Sequence, residues 1–197
     1  MKLKQLYLYG TLALATLCTS CEDFLDREPI SSVTPDEYYQ SEEQIQAAVN
    51  KLYEILPGHT GSYGVFGEDG DTDNQVYVTP GNQFTPDLWK TSMTGGSWDW
   101  TNVRNINYTL DKVLSNLEKG IVTGDETRIN HYIGELYFLR AFTYFNLLRA
   151  LGDLPIVTEP LPVDEGALVE ACQRSPHNEV ARFILSDLDK SLEYMND

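Results

Sequence analysis

Trp98 and Trp100 stand two residues apart beside a glycine- and acid-rich stretch that also holds Tyr63, Phe66, Tyr77 and Trp89. Exposed rings next to amides and carboxylates are what a sugar-binding platform requires: the ring covers the apolar face of the sugar, and Asp or Asn takes its hydroxyls. Trp98, Asp73 and Asn74 are the ligand candidates on that basis, while Trp89 and Trp100 read as rings filling the core beneath the loop. Within the same stretch, Asp69-Gly70-Asp71-Thr72-Asp73-Asn74 sets three carboxylates at alternate positions, as the start of a calcium loop would. An EF-hand also needs glycine at its sixth position and glutamate at its twelfth. Asn74 and Pro80 stand there instead, so the EF-hand fails. A looser structural calcium site from Glu68, Asp69, Asp71 and Asp73 competes with a plain hydrated acidic loop, and the hydrated loop is the stronger reading. No other cofactor is expected.

Covalent chemistry has little to stand on. His59, His131 and His177 are scattered, and the chain contains no H-E-x-x-H, G-x-S-x-G, G-x-G-x-x-G or phosphate-loop motif. A carboxylate pair for glycoside hydrolysis can always be drawn from thirty acids, because the pair is defined by separation in space. A surface-anchored glycosidase therefore stays as the alternative to a binding protein, and no catalytic residue is assigned. The formal net charge is −16. So acidic a chain repels phosphate backbones, which argues against nucleic acid as a partner.

The cysteines are Cys18, Cys21 and Cys172. Residues 1–20 begin with Lys2 and Lys4, continue through an apolar run from Leu6 to Leu17, and end on small residues before Cys21. That run is short for a bilayer span and reads as an export signal. Leu17-Cys18-Thr19-Ser20-Cys21 has the form of a lipobox with its leucine one place early. Cleavage before Cys21 would remove Cys18 and leave the Cys21 thiol for acylation, and each buried methylene of the acyl chains contributes ~0.8 kcal/mol of membrane affinity. Cys172 then has no partner and reads as an inert thiol. Residues 21–33 follow as an acidic tether, and 34–197 as the folded domain.

Helix punctuation is legible along that domain. Thr34-Pro35-Asp36-Glu37 and Ser41 to Gln44 are capping boxes, and behind the second Ile45, Ala48, Val49, Leu52, Tyr53 and Leu56 form one apolar stripe. From Gly58 to Ser97 glycines, acids and aromatics predict a long inserted loop. Ser97 can cap a second helix with Val103, Ile106, Leu110, Val113, Leu114 and Leu117 on one face. Thr123 to Glu126 reads as the capping box of a third helix. That helix is apolar on more than one face (Ile133, Leu136, Tyr137, Ala141, Tyr144, Phe145 and Leu148, then Phe138 and Phe142), which predicts burial between other helices. Arg149, Gly152 and Pro155 end it. Asp153 to Ala167 reads as an extended connector with a short strand near Leu154 to Val157, and Ser175-Pro176 opens a last helix with Val180, Phe183, Ile184, Leu188, Leu192 and Met195 in its stripe.

Several runs, in this order, resemble the SusD/RagB family of outer-membrane nutrient-binding lipoproteins. They are Cys21 with Asp23-Phe24-Leu25-Asp26; Glu135 with Phe138-Leu139-Arg140-Ala141-Phe142 and Tyr144-Phe145; Gly152-Asp153-Leu154-Pro155; and Arg174-Ser175 with Glu179-Val180 and Asp187-Leu188. The resemblance implies an all-α fold of irregular tetratricopeptide-like helix pairs with a long inserted loop. It also implies a lipoprotein at the cell outer membrane, exposed on its surface, that works with a SusC-like TonB-dependent transporter and captures oligosaccharide or peptide without breaking bonds. A scaffold that contacts only proteins is the third reading. Members of the family generally run to more than twice 197 residues, so the domain is expected to be the N-terminal part of such a protein, incomplete at its C-terminus.

Overall fold

Ser41 opens the first helix as its side chain predicts. Its hydroxyl accepts from the Gln44 backbone N–H at 3.4 Å, and the Gln44 side-chain oxygen accepts from the backbone N–H groups of Ser41 and Gln40 at 3.2 and 2.9 Å. Helix α1 spans Glu42–Leu52, with Glu42 and Glu43 at its positive end and Lys51 at its negative end. It buries Ile45, Val49 and Leu52, and a single 3-10 turn, Tyr53–Ile55, follows. These elements come from a computed structural model that describes residues 37–58 and 98–195. All of them belong to the unit Tyr39–Asp197.

Helix α2 is Thr101–Glu118 and begins four residues after the expected cap at Ser97, which lies outside the described residues. Trp100 occupies the N-cap position and makes no side-chain capping bond. Asp99 supplies the missing acceptor: its Oδ1 takes the Thr101 N–H at 2.9 Å. Val103, Ile106, Leu110 and Val113 are buried as their spacing predicts, and Leu114 and Leu117 are partly buried.

Helix α3, Glu126–Leu151, is capped by Asp125 and not by Thr123; Asp125 accepts from the Arg128 N–H at 3.1 Å. Thr123 is used in tertiary pairing instead. Its N–H donates to Gln40 O and its carbonyl accepts from Glu42 N, both at 2.9 Å, forming one isolated parallel bridge. The Glu42 carboxylate then accepts from Asp125 N at 3.0 Å and Arg128 Nη1 at 3.1 Å, which ties the start of α3 to the start of α1. Gly124, at φ +133°, is required there because a Cβ would lie 2.5 Å from Glu42 Cβ.

The expectation that α3 is buried on every apolar face needs correction. Ile133, Leu136, Tyr137, Leu139, Ala141 and Tyr144 are buried, but Phe138 and Phe145 remain 40% and 47% exposed. Among the described residues α3 packs on α1, α2 and the last helix, which leave these two rings partly in the open.

The connector after α3 also departs from its reading. It contains a short helix, α4, Glu165–Ala171, capped by Asp164 Oδ1 on Ala167 N at 2.9 Å. The expected strand reduces to one isolated antiparallel bridge, Leu154 with Ser175. Among the described residues there is no strand, and the class is all-α. Helix α5, His177–Met195, buries Val180, Ile184, Asp187 and Ser191, whereas Leu192 is 58% exposed. Asp187 lies in phase with Val180 and Ile184, and it is drawn inward by an arginine described below.

The helices pair antiparallel. Along α3 the residues Gly134, Tyr137, Arg140 and Tyr144 meet Met195, Tyr194, Asp187 and Phe183 of α5, so numbers rise on one helix as they fall on the other. One core cluster joins α1, α2 and the first half of α3; a second joins Val103, Tyr144, Leu147, Leu154, Val180 and Ile184.

Candidate functional site

Arg140 is the residue from which the site is built. It sits mid-helix on α3 at 3% exposure, where a lone guanidinium would be prohibitively desolvated. Asp187 of α5, fully buried, accepts two of its hydrogen bonds: Nε to Oδ2 at 2.7 Å and Nη2 to Oδ1 at 2.8 Å. The remaining edge of the guanidinium faces the connector. Nη1 donates to Asn107 Oδ1 at 3.0 Å and to the Thr158 carbonyl at 3.2 Å. Asn107 Nδ2 in turn donates to the Val157 carbonyl at 2.9 Å.

Tyr144 closes the network. Its hydroxyl accepts from Val157 N at 2.8 Å and donates to Val157 O at 3.1 Å. Burial pushes its phenol up to about 12, partly offset by the bond from the Val157 backbone and by the Arg140 charge. Trp100 and Phe183 pack edge-on against the Tyr144 ring, with centroids at 5.9 and 4.9 Å. Every buried side-chain nitrogen and oxygen among the described residues has a partner, so this polar core is fully satisfied. Residues 157 and 158 are thereby held against α2 and α3 although they lie in no helix or strand.

The fixed connector forms one wall of a groove of about 660 Å³. The N-terminal turn of α2 with Trp98 and Trp100, and the end of α4 with Arg174, complete its lining. Its surface is mainly apolar, from residues such as Trp100, Val103, Pro155, Val157, Leu161 and Leu168. Trp98 stands at the mouth, 38% exposed, with the Arg174 guanidinium 4.5 Å from its ring centroid. Hydrogen bonds from the side chain and backbone of Thr101 hold the neighbouring Asp99 carboxyl below its ordinary range.

The placement of the sequence candidates is mixed. Trp98 borders the groove, and Trp100 is partly buried as a core ring while still lining it. Asp69, Asp71, Asp73, Asn74, Glu68, Trp89 and Cys21 lie outside the described residues. Cys172 is a free, exposed thiol on the groove wall. Among the described residues no group of three or more His, Cys, Asp and Glu side chains is placed to hold a metal, and no helix is long and apolar enough to cross a membrane.

Comparison with known proteins decides the family. A family model described as "Starch-binding associating with outer membrane" matches residues 23–197. The chain belongs to the SusD-like family. Two SusD-like proteins of Formosa agariphila are 28% and 25% identical to it, over 95% and 94% of this chain. The chain spans 37% of the length of each. A crystallographic SusD-like protein of Bacteroides fragilis superposes with a TM-score of 0.52 at 20% identity, covering 85% of this chain and 32% of that one, and shows the same fold.

Several of the described residues in the motifs that resemble the SusD-like family help to build the groove. Arg140 and Asp187 form its buried clamp. Gly152, at φ +77°, turns the chain; Asp153 caps α5 by accepting from His177 N at 2.8 Å; Leu154 is buried and pairs with Ser175; Pro155 lines the wall. Reading the sequence for chemistry missed Arg140, Asn107, Tyr144 and Asp187 as the positioning set. The available signal was a charged residue in phase with buried apolar ones on each of two facing helices.

Proposed function

We propose that the groove below Trp98 binds a segment of a glycan, and that the whole protein captures oligosaccharide at the outer membrane without cleaving it. The observation that carries this reading is Trp98 itself: a partly exposed indole at the mouth of a groove whose size lies within the usual range for small-ligand sites, about 300–1,000 Å³. The description of the family as starch-binding supports it. A sugar ring would lay its C–H face on indole and proline, with its hydroxyls turned to the polar rim. Cys21 is the proposed acylation site that moors the protein, and a SusC-like TonB-dependent transporter is the proposed recipient of the ligand; a peptide ligand is the alternative cargo.

Titration calorimetry with a panel of oligosaccharides tests the binding role, together with Trp98→Ala. An anchoring tryptophan in a site of this kind is worth at least ~2 kcal/mol, so the variant loses about thirty-fold or more in affinity. Glycan binding that ignores Trp98, or hydrolysis of a bound glycan, would sink the reading. Mass spectrometry of Cys21 and co-purification with the transporter test the anchor and the partner separately.

A further inference from the structure

The described lining of the groove carries a charge opposite in sign to that of the chain. Its charged lining residues among those described are Arg104, Arg174 and Glu159, two cations against one anion, in a protein of formal charge −16. Both arginines are exposed, and among the described residues neither forms an ion pair. Arg128 and Arg140 are tied to Glu42 and Asp187, and Arg149 and Arg182, which like the groove pair form no ion pair among the described residues, do not line the groove, so it is the position of Arg104 and Arg174 that sets them apart. In so acidic a chain, an arginine at a ligand groove that pairs with no carboxylate among the described residues can take an anion from outside.

The two are also set in place. Arg104 lies in the first turn of α2, its N–H donating to Trp100 O at 2.9 Å. Arg174 adjoins Ser175, whose backbone is pinned to Leu154 by paired bonds of 2.8 and 3.2 Å, and its guanidinium lies over Trp98. Stacking on the indole restricts the fork without using its N–H donors, so little further side-chain freedom is lost when it takes an anion edge-on. A planar guanidinium receives carboxylate or sulfate through two parallel hydrogen bonds.

We propose that the groove selects anionic glycans, bearing carboxylate or sulfate groups, and that Arg104 and Arg174 set this specificity beside Trp98. The inference rests on the reading that the groove binds glycan. Glu159 forms part of the wall shared with the neighbouring cleft that contains Lys190. Its carboxylate disfavours an anion on that side and so orients the charged groups of the ligand toward Arg104 and Arg174.

The test is titration calorimetry on the full chain with oligogalacturonate and its carboxyl-reduced counterpart, and with a carrageenan oligosaccharide and its desulfated counterpart. At least one acidic ligand should bind ten-fold or more tightly than its neutral counterpart, and which pair shows the preference separates carboxylate from sulfate. Arg104→Gln and Arg174→Gln should each reduce that ratio and together bring it to about one, while Arg174→Lys, which keeps the charge and loses the fork, should restore part of it. Far-UV circular dichroism of the variants should match the parent, since both side chains are exposed. Neutral and acidic ligands bound alike, a preference that survives the double substitution, or a loss in Arg174→Gln that is equal for both members of a pair would overturn the proposal while leaving glycan binding intact. Binding of none of the four would overturn this inference, and if no oligosaccharide of the wider panel binds either, the glycan reading falls with it.

Discussion

The Arg140 guanidinium meets the Asp187 carboxylate through two hydrogen bonds of 2.7 and 2.8 Å, with both side chains inside the protein. The pair links the middle of α3 to the middle of α5, and Nη1 of the arginine pins the connector at the Thr158 carbonyl and binds Asn107 of α2. A contact made for helix packing therefore also sets one wall of the groove.

Removing one partner of this pair should be much worse than removing both. Asp187→Asn or Arg140→Met strands the other group in the interior and should cost ~3–5 kcal/mol, measured by urea unfolding. The double variant Arg140→Met with Asp187→Leu should recover part of that loss. It should still weaken groove binding, because Thr158 and Asn107 lose their donor.

Alkaline pH should destabilise the fold through Tyr144. Its folded-state phenol is pushed up to about 12 from 10.0, so the folded state keeps a proton that the unfolded chain releases. That stability is complete below pH 10 and is lost as pH rises through about 12, a change of at most ~2–3 kcal/mol. Tyr144→Phe should flatten the fall between pH 9 and 11.5 in urea titrations. At neutral pH the same variant should be ~1–3 kcal/mol less stable, because Val157 N–H is left without its acceptor.

Gly134 should not tolerate alanine. In an ordinary helix interior the change would stabilise by about 1 kcal/mol. Here the new Cβ would lie 2.5 Å from Met195 Cγ and 2.9 Å from the Ser191 carbonyl. The methionine can swing away, but the backbone oxygen of α5 cannot, so α3 and α5 must separate. A net loss of ~1–3 kcal/mol and a fall of several degrees in Tm are expected.

Asp153→Ala should fray the start of α5. The His177 N–H loses its acceptor, at a cost of ~1 kcal/mol, and hydrogen exchange should quicken at residues 177–180 ahead of the rest of the helix. Asp153→Asn, which keeps an accepting oxygen, should show most of the parent protection.

What could be read without a structure were the features governed by neighbours in the chain. The Ser41 box, the sharp end of α3 at Gly152 and the all-α class depend on spacings of three or four residues and on single-residue dihedrals, and stand as read, whereas the stripe of α1 holds from Ile45 to Leu52 and then gives way to a 3-10 turn in which Tyr53 is exposed. The readings that needed correction involve competition between local and distant partners. Thr123 has the chemistry of a cap but is taken by Gln40 and Glu42 across 80 residues of sequence, leaving Asp125 to cap α3. Leu192 belongs to the apolar phase of α5, yet Asp187 is inside because its buried partner on α3 is an arginine, and Ser191 is inside where its backbone meets Gly134.

The groove belongs to the same class. Trp98 could be singled out by residue type, but nothing near it in sequence pointed to Val157, Arg104 or Arg174 as its neighbours. Residue order determined the helices, their ends and the family motifs, since those follow from backbone geometry and hydrophobic period. Which side chains share a cavity, and that two arginines with no ion pair among the described residues face it within an acidic protein, was decided only when antiparallel packing of α3 on α5 brought residues 47 apart in the chain into hydrogen-bond contact.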